Sequence, residues 1–184
     1  RESISFIREL LEFSRIRNAG TLAAEFEPVD IVPLAKASVE QHADEAAVRN
    51  IALEFRGAEG SLWVRGNRDM LLRMIGNLVS NAVRYTPDGG SVTVITDERG
   101  GDAVIEVRDT GIGIPKEDIG NVFGDFFRAR NARQFTRTGT GLGLSIVRSG
   151  AEAHGGSVGV ESEMGRGSVF TARIPLRMNE PFVR

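Results

Sequence analysis

The spacing of apolar positions changes several times along the chain, and each change predicts an element. In residues 1–18, Ile4, Ile7 and Leu11 form one helical stripe, with Phe6, Leu10 and Phe13 as a second beside it. Two stripes are more than a single surface helix needs, so this helix is expected to pack against partner helices. Asn18-Ala19-Gly20 has C-cap chemistry, and residues 19–24 read as a linker. A short strand is expected at 25–29. Asp30 then caps a helix with Pro33 in its first turn, in which Ile31, Leu34, Ala35, Ser38 and Val39 keep helical spacing. Ile51–Phe55 and Leu62–Val64 alternate as strands around a Gly57–Gly60 turn. Residues 67–85 carry the strongest helical pattern. The strands Ser91–Asp97 and Ala103–Arg108 are joined as a hairpin by Glu98–Gly101. Residues 110–138 lose periodicity, which predicts a long loop, functional or mobile. A helix from 140 to 153 ends at His154-Gly-Gly156, and Val158–Glu161 with Ser168–Ile174 close the pattern as a hairpin around Met164–Gly167. The sum is α+β: a two-layer α/β sandwich with a mixed, mostly antiparallel sheet of about five to seven strands, helices on one face and one extended helix in front. Residues 177–184 read as a tail.

At 184 residues the chain is one domain, or one domain with a fragment of another. It opens at Arg1 in mid-pattern, and we read it as a piece of a longer protein. The absence of cysteine excludes thiolate metal sites, disulfides and thiol nucleophiles, and fits a reducing, cytoplasmic setting. A net charge of −2 argues against bulk electrostatic binding to nucleic acid. No apolar run approaches the roughly 18 residues of a membrane span, so no membrane contact is expected of this piece. A membrane anchor elsewhere in the parent stays open. Two biases add chemistry. Basic residues are 21 Arg to 2 Lys, with Arg128, Arg130, Arg133 and Arg137 clustered, and glycine, 22 residues in all, forms local clusters in Asp109–Pro115 and Thr138–Leu144. Glycine permits close backbone approach and arginine suits phosphate, which together suggest a phosphorylated small molecule.

Helix 67–85 faces two ways. At 100° per residue, with Asn77 at zero, Asn81 falls at roughly 40°, Arg84 at roughly −20°, Arg73 at roughly −40° and Tyr85 at roughly 80°. Leu71, Leu72, Ile75, Leu78, Val79, Ala82 and Val83 take the opposite arc, the core side. Asn is a poor helix former, so a pair at i and i+4 is not explained by propensity. A carboxamide can ligate a hard cation through its oxygen and donate to phosphate through its nitrogen; satisfaction of backbone groups is the plainer alternative.

Asp109 follows an alternating strand and opens into Gly111 and Gly113. It either caps a turn or accepts a hydrogen bond from a base amine, with the glycines letting the ligand approach. Asp-Thr-Gly is also an aspartic-protease signature, but no second copy supplies the paired carboxylate. Gly139-x-Gly141-x-Gly143 precedes an apolar helix. It is neither a P-loop, lacking Gly-Lys-Ser/Thr, nor a Rossmann fingerprint, yet glycine amides at a helix start suit an anion.

In order and spacing these segments resemble the catalytic ATP-binding domain of bacterial sensor histidine kinases, in the Bergerat-fold ATPase/kinase superfamily. Asn77-Leu-Val-Ser-Asn81-Ala-Val-Arg-Tyr-Thr-Pro87 looks like the N box and Asp109–Pro115 like the first glycine box. Val122–Arg128 looks like the phenylalanine box and Thr138–Leu144 like the second glycine box. The match runs from about residue 25 to 176. It implies ATP and Mg²⁺ as ligand and cofactor. Asp109 would take the adenine amine, with Gly111 and Gly113 beside it. Asn81 would ligate Mg²⁺ with Asn77 near, Arg84 (usually Lys in the family) would touch phosphate, and Tyr85 would lie against adenine or ribose. Residues 116–138 would be a lid, with Arg128 and Arg137 reaching the γ-phosphate; Phe123 and Phe126 would anchor it, core packing being an equally good reading for both. Thr138, Gly139, Thr140, Gly141, Leu142 and Gly143 would wrap the triphosphate.

Hydrolysing members of the superfamily carry a Glu one helical turn before the magnesium Asn, where this chain has Asn77. The resemblance therefore implies transfer of the γ-phosphoryl group to a histidine on an upstream dimerisation segment of a homodimeric parent, then to a response-regulator aspartate. Residues 1–18 look like the end of that segment, which leaves the acceptor histidine upstream and this fragment unable to phosphorylate itself. His42 and His154 read as structural. A nucleotide-sensing module, an anti-sigma serine kinase and a hydrolysing ATPase are the alternatives.

Overall fold

The computed structural model describes residues 26–176; the expectations for residues 1–18, 19–24 and 177–184 lie outside the described residues. The described residues form seven strands and five helices in the order β1 (Glu27–Asp30), α1 (Ile31–Val48), β2 (Ala52–Arg56), β3 (Trp63–Gly66), α2 (Arg68–Tyr85), β4 (Ser91–Arg99), β5 (Asp102–Asp109), α3 (Lys116–Ile119), α4 (Arg130–Phe135), α5 (Gly143–Ala153), β6 (Ser157–Glu163) and β7 (Gly167–Pro175). A five-stranded sheet has the order β2-β4-β5-β7-β6, antiparallel throughout except for the parallel pair β2–β4. The expected sandwich with its mostly antiparallel sheet is what forms.

One pairing differs from expectation. β2 and β3 flank the Gly57–Gly60 turn but do not pair; β3 runs antiparallel to β1, from Glu27–Gly66 to Asp30–Trp63, as a separate two-stranded sheet. The cause is at Asp30. Its Oδ1 accepts from Val32 N at 3.1 Å, capping α1 as the sequence predicts, and also from Leu62 N at 3.0 Å. Ile31 N donates to Leu62 O at 3.0 Å. These bonds draw the chain after β2 to the start of α1, while Leu53 and Phe55 of β2 align with Val92 and Val94 of β4.

The β4–β5 hairpin is two residues longer on its first strand than the sequence suggests. Gly100 (φ 66°) and Gly101 (φ 86°) form a two-residue turn with both φ positive, which lets Arg99 pair with Asp102. The aperiodic 110–138 segment carries the two short helices α3 and α4, which periodicity could not reveal at four and six residues. One contiguous core lies between the helices and the sheet, including Leu34, Leu71, Ile75, Leu78, Val94, Ile105 and Ile174. On the other side of β5, Glu106 is held between Arg99 and Arg108 by ion pairs. Among the described residues no helix is long and apolar enough to cross a membrane.

Candidate functional site

Helix α2 carries one wall of the site, and both its ends are fixed. Asn67 caps the start, its side chain accepting from Met70 N at 3.0 Å. Arg49, just past α1, donates to Val83 O at 2.7 Å and Thr86 O at 2.6 Å, satisfying carbonyls at the end of α2. The predicted apolar arc is buried apart from half-buried Leu72, and Met70 and Met74 join it. That rotation turns Asn77, Asn81, Arg84 and Tyr85 toward a cavity of about 200 Å³.

Asp109 ends β5 in the wall of this cavity. Its Oδ1 accepts from Gly111 N at 2.8 Å and from Ser168 N, on β7, at 3.2 Å, while Oδ2 has no hydrogen-bond partner among the described residues. Burial pushes the carboxyl up to about 6, against the lowering effect of the two amides. Gly113 (φ 64°) must be glycine, because a Cβ there would fall on the Glu163 carbonyl.

Opposite α2 stands the glycine turn before α5. Asn77 Nδ2 donates to Arg73 O at 3.0 Å, so its Oδ1 faces away, 3.2 Å from where a Cβ on Gly143 would stand. Asn81 presents both carboxamide atoms to the same point, at 3.6 and 3.8 Å, and makes no hydrogen bond among the described residues. The two carboxamides thus converge on one place. At Gly139 two guanidiniums converge likewise, Arg128 Cζ at 3.4 Å and Arg84 Nη1 at 3.5 Å from a Cβ position. Among the described residues no group of three His, Cys, Asp or Glu side chains is placed to hold an ion alone. This donor set fits Mg²⁺, which takes few protein ligands and brings phosphates and waters with it.

The segment from 116 to 138 contributes Val122, Phe127, Arg128, Ala129, Asn131 and Ala132 to the cavity wall. Asn131 Nδ2 donates to Gly113 O at 2.7 Å, and Arg130 N to Asp118 Oδ2 at 3.0 Å. Arg128 donates to Thr136 O at 2.7 Å and more weakly to Ala132, Arg137 and Gly139 carbonyls at 3.3–3.4 Å, leaving Nε buried with no partner among the described residues. Gly141 (φ 78°) lies against the Phe126 backbone, 2.6 Å from its carbonyl carbon to a Cβ position.

Of the residues singled out from sequence, Asn77, Asn81, Arg84, Tyr85, Asp109, Gly113, Arg128, Gly139, Thr140, Gly141 and Gly143 line the cavity. Gly111 does not, but its amide holds Asp109. Leu142 is fully buried with Met70 and Ile146, a packing residue whose role at the turn is confined to its backbone. Thr138 and Arg137 are exposed outside the wall; Arg137 offers Arg128 its carbonyl rather than reaching inward. Phe126 is not the lid anchor expected. It is 50% exposed at a φ of 59°, while Phe123 packs edge-on against Phe170 (6.3 Å) and Phe127 lines the cavity.

Sequence reasoning missed Asn131 and Ser168. The register Asp109–Ser168 supplies the second, and only strand pairing reveals it. His154 is structural, as expected: it accepts from Asn67 N at 3.1 Å, bonds Gly150 O at 2.6 Å and stacks on Phe26 at 4.7 Å. His42 bonds Ser38 O within its own helix.

Residues 66–178 match the family described as histidine kinase-, DNA gyrase B-, and HSP90-like ATPase. The chain is 40% identical over 169 residues to the sensor-like histidine kinase SenX3 of Mycolicibacterium smegmatis, covering 92% of this chain and 44% of that protein. It is 34% identical over 170 residues to the sensor histidine kinase RppB of Synechocystis, covering 92% and 37%. It thus spans less than half the length of these curated relatives. Among solved structures, the mycobacterial sensor histidine kinase MprB is similar at TM-score 0.74 and 30% identity, covering 82% of this chain and 99% of that one. Full-length ShkA in complex with AMPPNP is similar at TM-score 0.79 and 27% identity, covering 96% and 36%. On these grounds the chain belongs to the histidine kinase-, DNA gyrase B-, and HSP90-like ATPase family, among its sensor histidine kinase catalytic domains.

Proposed function

We propose that this domain binds ATP with Mg²⁺ and directs the γ-phosphoryl group to a histidine on an upstream dimerisation segment of a homodimeric, two-component parent. A response-regulator aspartate would be the next acceptor. In this reading residues 1–18 end the dimerisation segment, 19–24 link it, 25–176 form the cytoplasmic catalytic domain and 177–184 trail it. One observation carries the reading: a single cavity joins a buried carboxylate acceptor, Asp109, to two converging guanidiniums and two converging carboxamides. The first suits an adenine amine and the others suit a triphosphate with its cation.

Asp109 would orient the base through Oδ2, and Tyr85 would bound it. Asn81, with Asn77 beside it, would hold Mg²⁺, which when bound neutralises charge on the phosphate oxygens. Arg84 and Arg128 would donate to phosphate oxygens as charge spreads over them in the transition state. The acceptor imidazole nitrogen would attack the γ-phosphorus in line, the bond to the bridging oxygen would break, and ADP would leave. Among the described residues, Asp109 is the only carboxylate in the cavity wall, and it is engaged by backbone amides. Asn77 has no basic site with which to activate water. Both points favour transfer over hydrolysis.

The test is to incubate the protein, extended upstream through its dimerisation segment, with γ-labelled ATP. Label that is acid-labile and base-stable on a histidine is expected. ATP binding without such label would make the domain a nucleotide sensor, and free phosphate alone would make it a hydrolase.

A further inference from the structure

The end of the β6–β7 hairpin grips the segment that follows Asp109, and one side chain is at the centre of the grip. Gly165 N donates to Ile112 O at 2.9 Å, Gly113 lies against the Glu163 carbonyl, and Gly167 packs on the Asp109 backbone. Ser162, on β6 opposite Ser168 of β7, meets three groups at once. Its Oγ accepts from Ile114 N at 2.9 Å, donates to Gly167 O at 2.9 Å and lies 2.8 Å from Ser168 Oγ. A hydroxyl has one proton and two lone pairs. With the proton committed to Gly167 and one lone pair to Ile114, the Ser168 hydroxyl must be the donor in the third bond. The proton and both lone pairs of the Ser162 hydroxyl are then used, one on the Ile114 backbone after Asp109 and two on the Gly167–Ser168 start of β7.

We infer that Ser162 is a positioning residue for the base end of the cavity: it ties the Asp109–Ile114 segment to Gly167 and Ser168 and so aims the Asp109 carboxylate. It does not itself line the cavity where Asn81, Arg84 and Arg128 stand. Its effect reaches a ligand through the Ser168 amide on Asp109 Oδ1 and through the backbone between Asp109 and Ile114. Removal of the hydroxyl leaves the Ile114 N–H and the Gly167 carbonyl without this partner and loosens the join between the two stretches, which the Gly165–Ile112 bond and the Asp109–Ser168 pairing still hold.

This inference rests on the reading of the cavity as an ATP site, and the experiment separates the two. ATP and purine riboside triphosphate, which lacks the 6-amino group, are titrated into the wild type, Ser162→Ala and Ser162→Thr. Wild-type preference for ATP supports the adenine assignment; absence of ATP binding would overturn that assignment and the role of Ser162 with it. Given that preference, Ser162→Ala is expected to weaken ATP about five- to tenfold and the analogue less than twofold. Ser162→Thr, which keeps the hydroxyl on a β-branched side chain suited to a strand, is expected to restore ATP affinity to within about twofold. Equal losses for both nucleotides, or no loss for either, would overturn the role of Ser162 while leaving the cavity reading in place. Should Ser162→Ala not fold, Ser162→Cys is measured instead, with the same selective loss expected because a thiol is a weak partner.

Discussion

Asp109 and Ser168 are register partners on adjacent strands, and the Ser168 amide donates to Asp109 Oδ1 at 3.2 Å. With the Gly111 amide on the same oxygen, the carboxyl is oriented from two sides, yet burial still holds it near 6. The orientation suits a ligand, and the domain bears a stability cost for it.

That cost is measurable. The Asp109 carboxyl lies above its ordinary value of 3.8, so between about pH 4 and 6 the native state binds more protons than the unfolded chain, and stability falls as pH rises through that window. Asp109→Asn keeps an acceptor oxygen and removes the charge. Without nucleotide, it should be more stable than the wild type above pH 6, by on the order of 2 kcal/mol, and the difference should shrink toward pH 4. Thermal melts across that range check this.

His154 works in the opposite direction. Burial lowers it against the raising effect of the Gly150 carbonyl, so the unfolded chain takes up a proton below about pH 6.5 while the native state resists. Its contribution is present above that pH and lost below it. His154→Gln should cost stability at pH 8 and lose less than the wild type on acidification from pH 7 to 5, read by denaturant titration.

Asn81→Ala should leave the fold intact, because the Asn81 carboxamide bonds nothing among the described residues. ATP affinity with Mg²⁺ should fall toward the value without Mg²⁺, and phosphotransfer should be lost. Calorimetry with and without the ion checks it.

Gly141→Ala places a Cβ 2.6 Å from the Phe126 carbonyl carbon at a φ of 78°, so backbone must move where the glycine turn meets Phe126. Gly100→Ala, at a φ of 66° with open space around it, carries only the conformational cost of roughly 1–2 kcal/mol. ATP affinity should drop more than tenfold in the first and stay within about twofold in the second, although both lower the melting temperature.

Amphipathic elements and motif order were legible from sequence: α2 could be oriented from Leu71 to Val83, and that orientation placed Asn77, Asn81 and Arg84 on the cavity side. Long-range pairing was not legible. The partner of β3 depends on what Asp30 binds, and Leu62 is 32 residues away. The same limit hid Ser162 and Ser168, which reach Asp109 and Ile114 only once β6 and β7 are laid against β5. Between residues 128 and 137, four arginines suggested phosphate contacts without distinguishing Arg128, which lines the cavity, from Arg137, which does not. Phe126 misled because a phenylalanine beside two others reads as core, whereas its left-handed backbone turns it to solvent.

The central claim is that Asp109 anchors the base of ATP in this cavity, and calorimetric titration of ATP into the wild type and Asp109→Asn at pH 8 tests it most directly. Binding by the wild type and at least tenfold weaker binding by Asp109→Asn, about 1.4 kcal/mol, is the expected result. Equal affinity in the two proteins would contradict it.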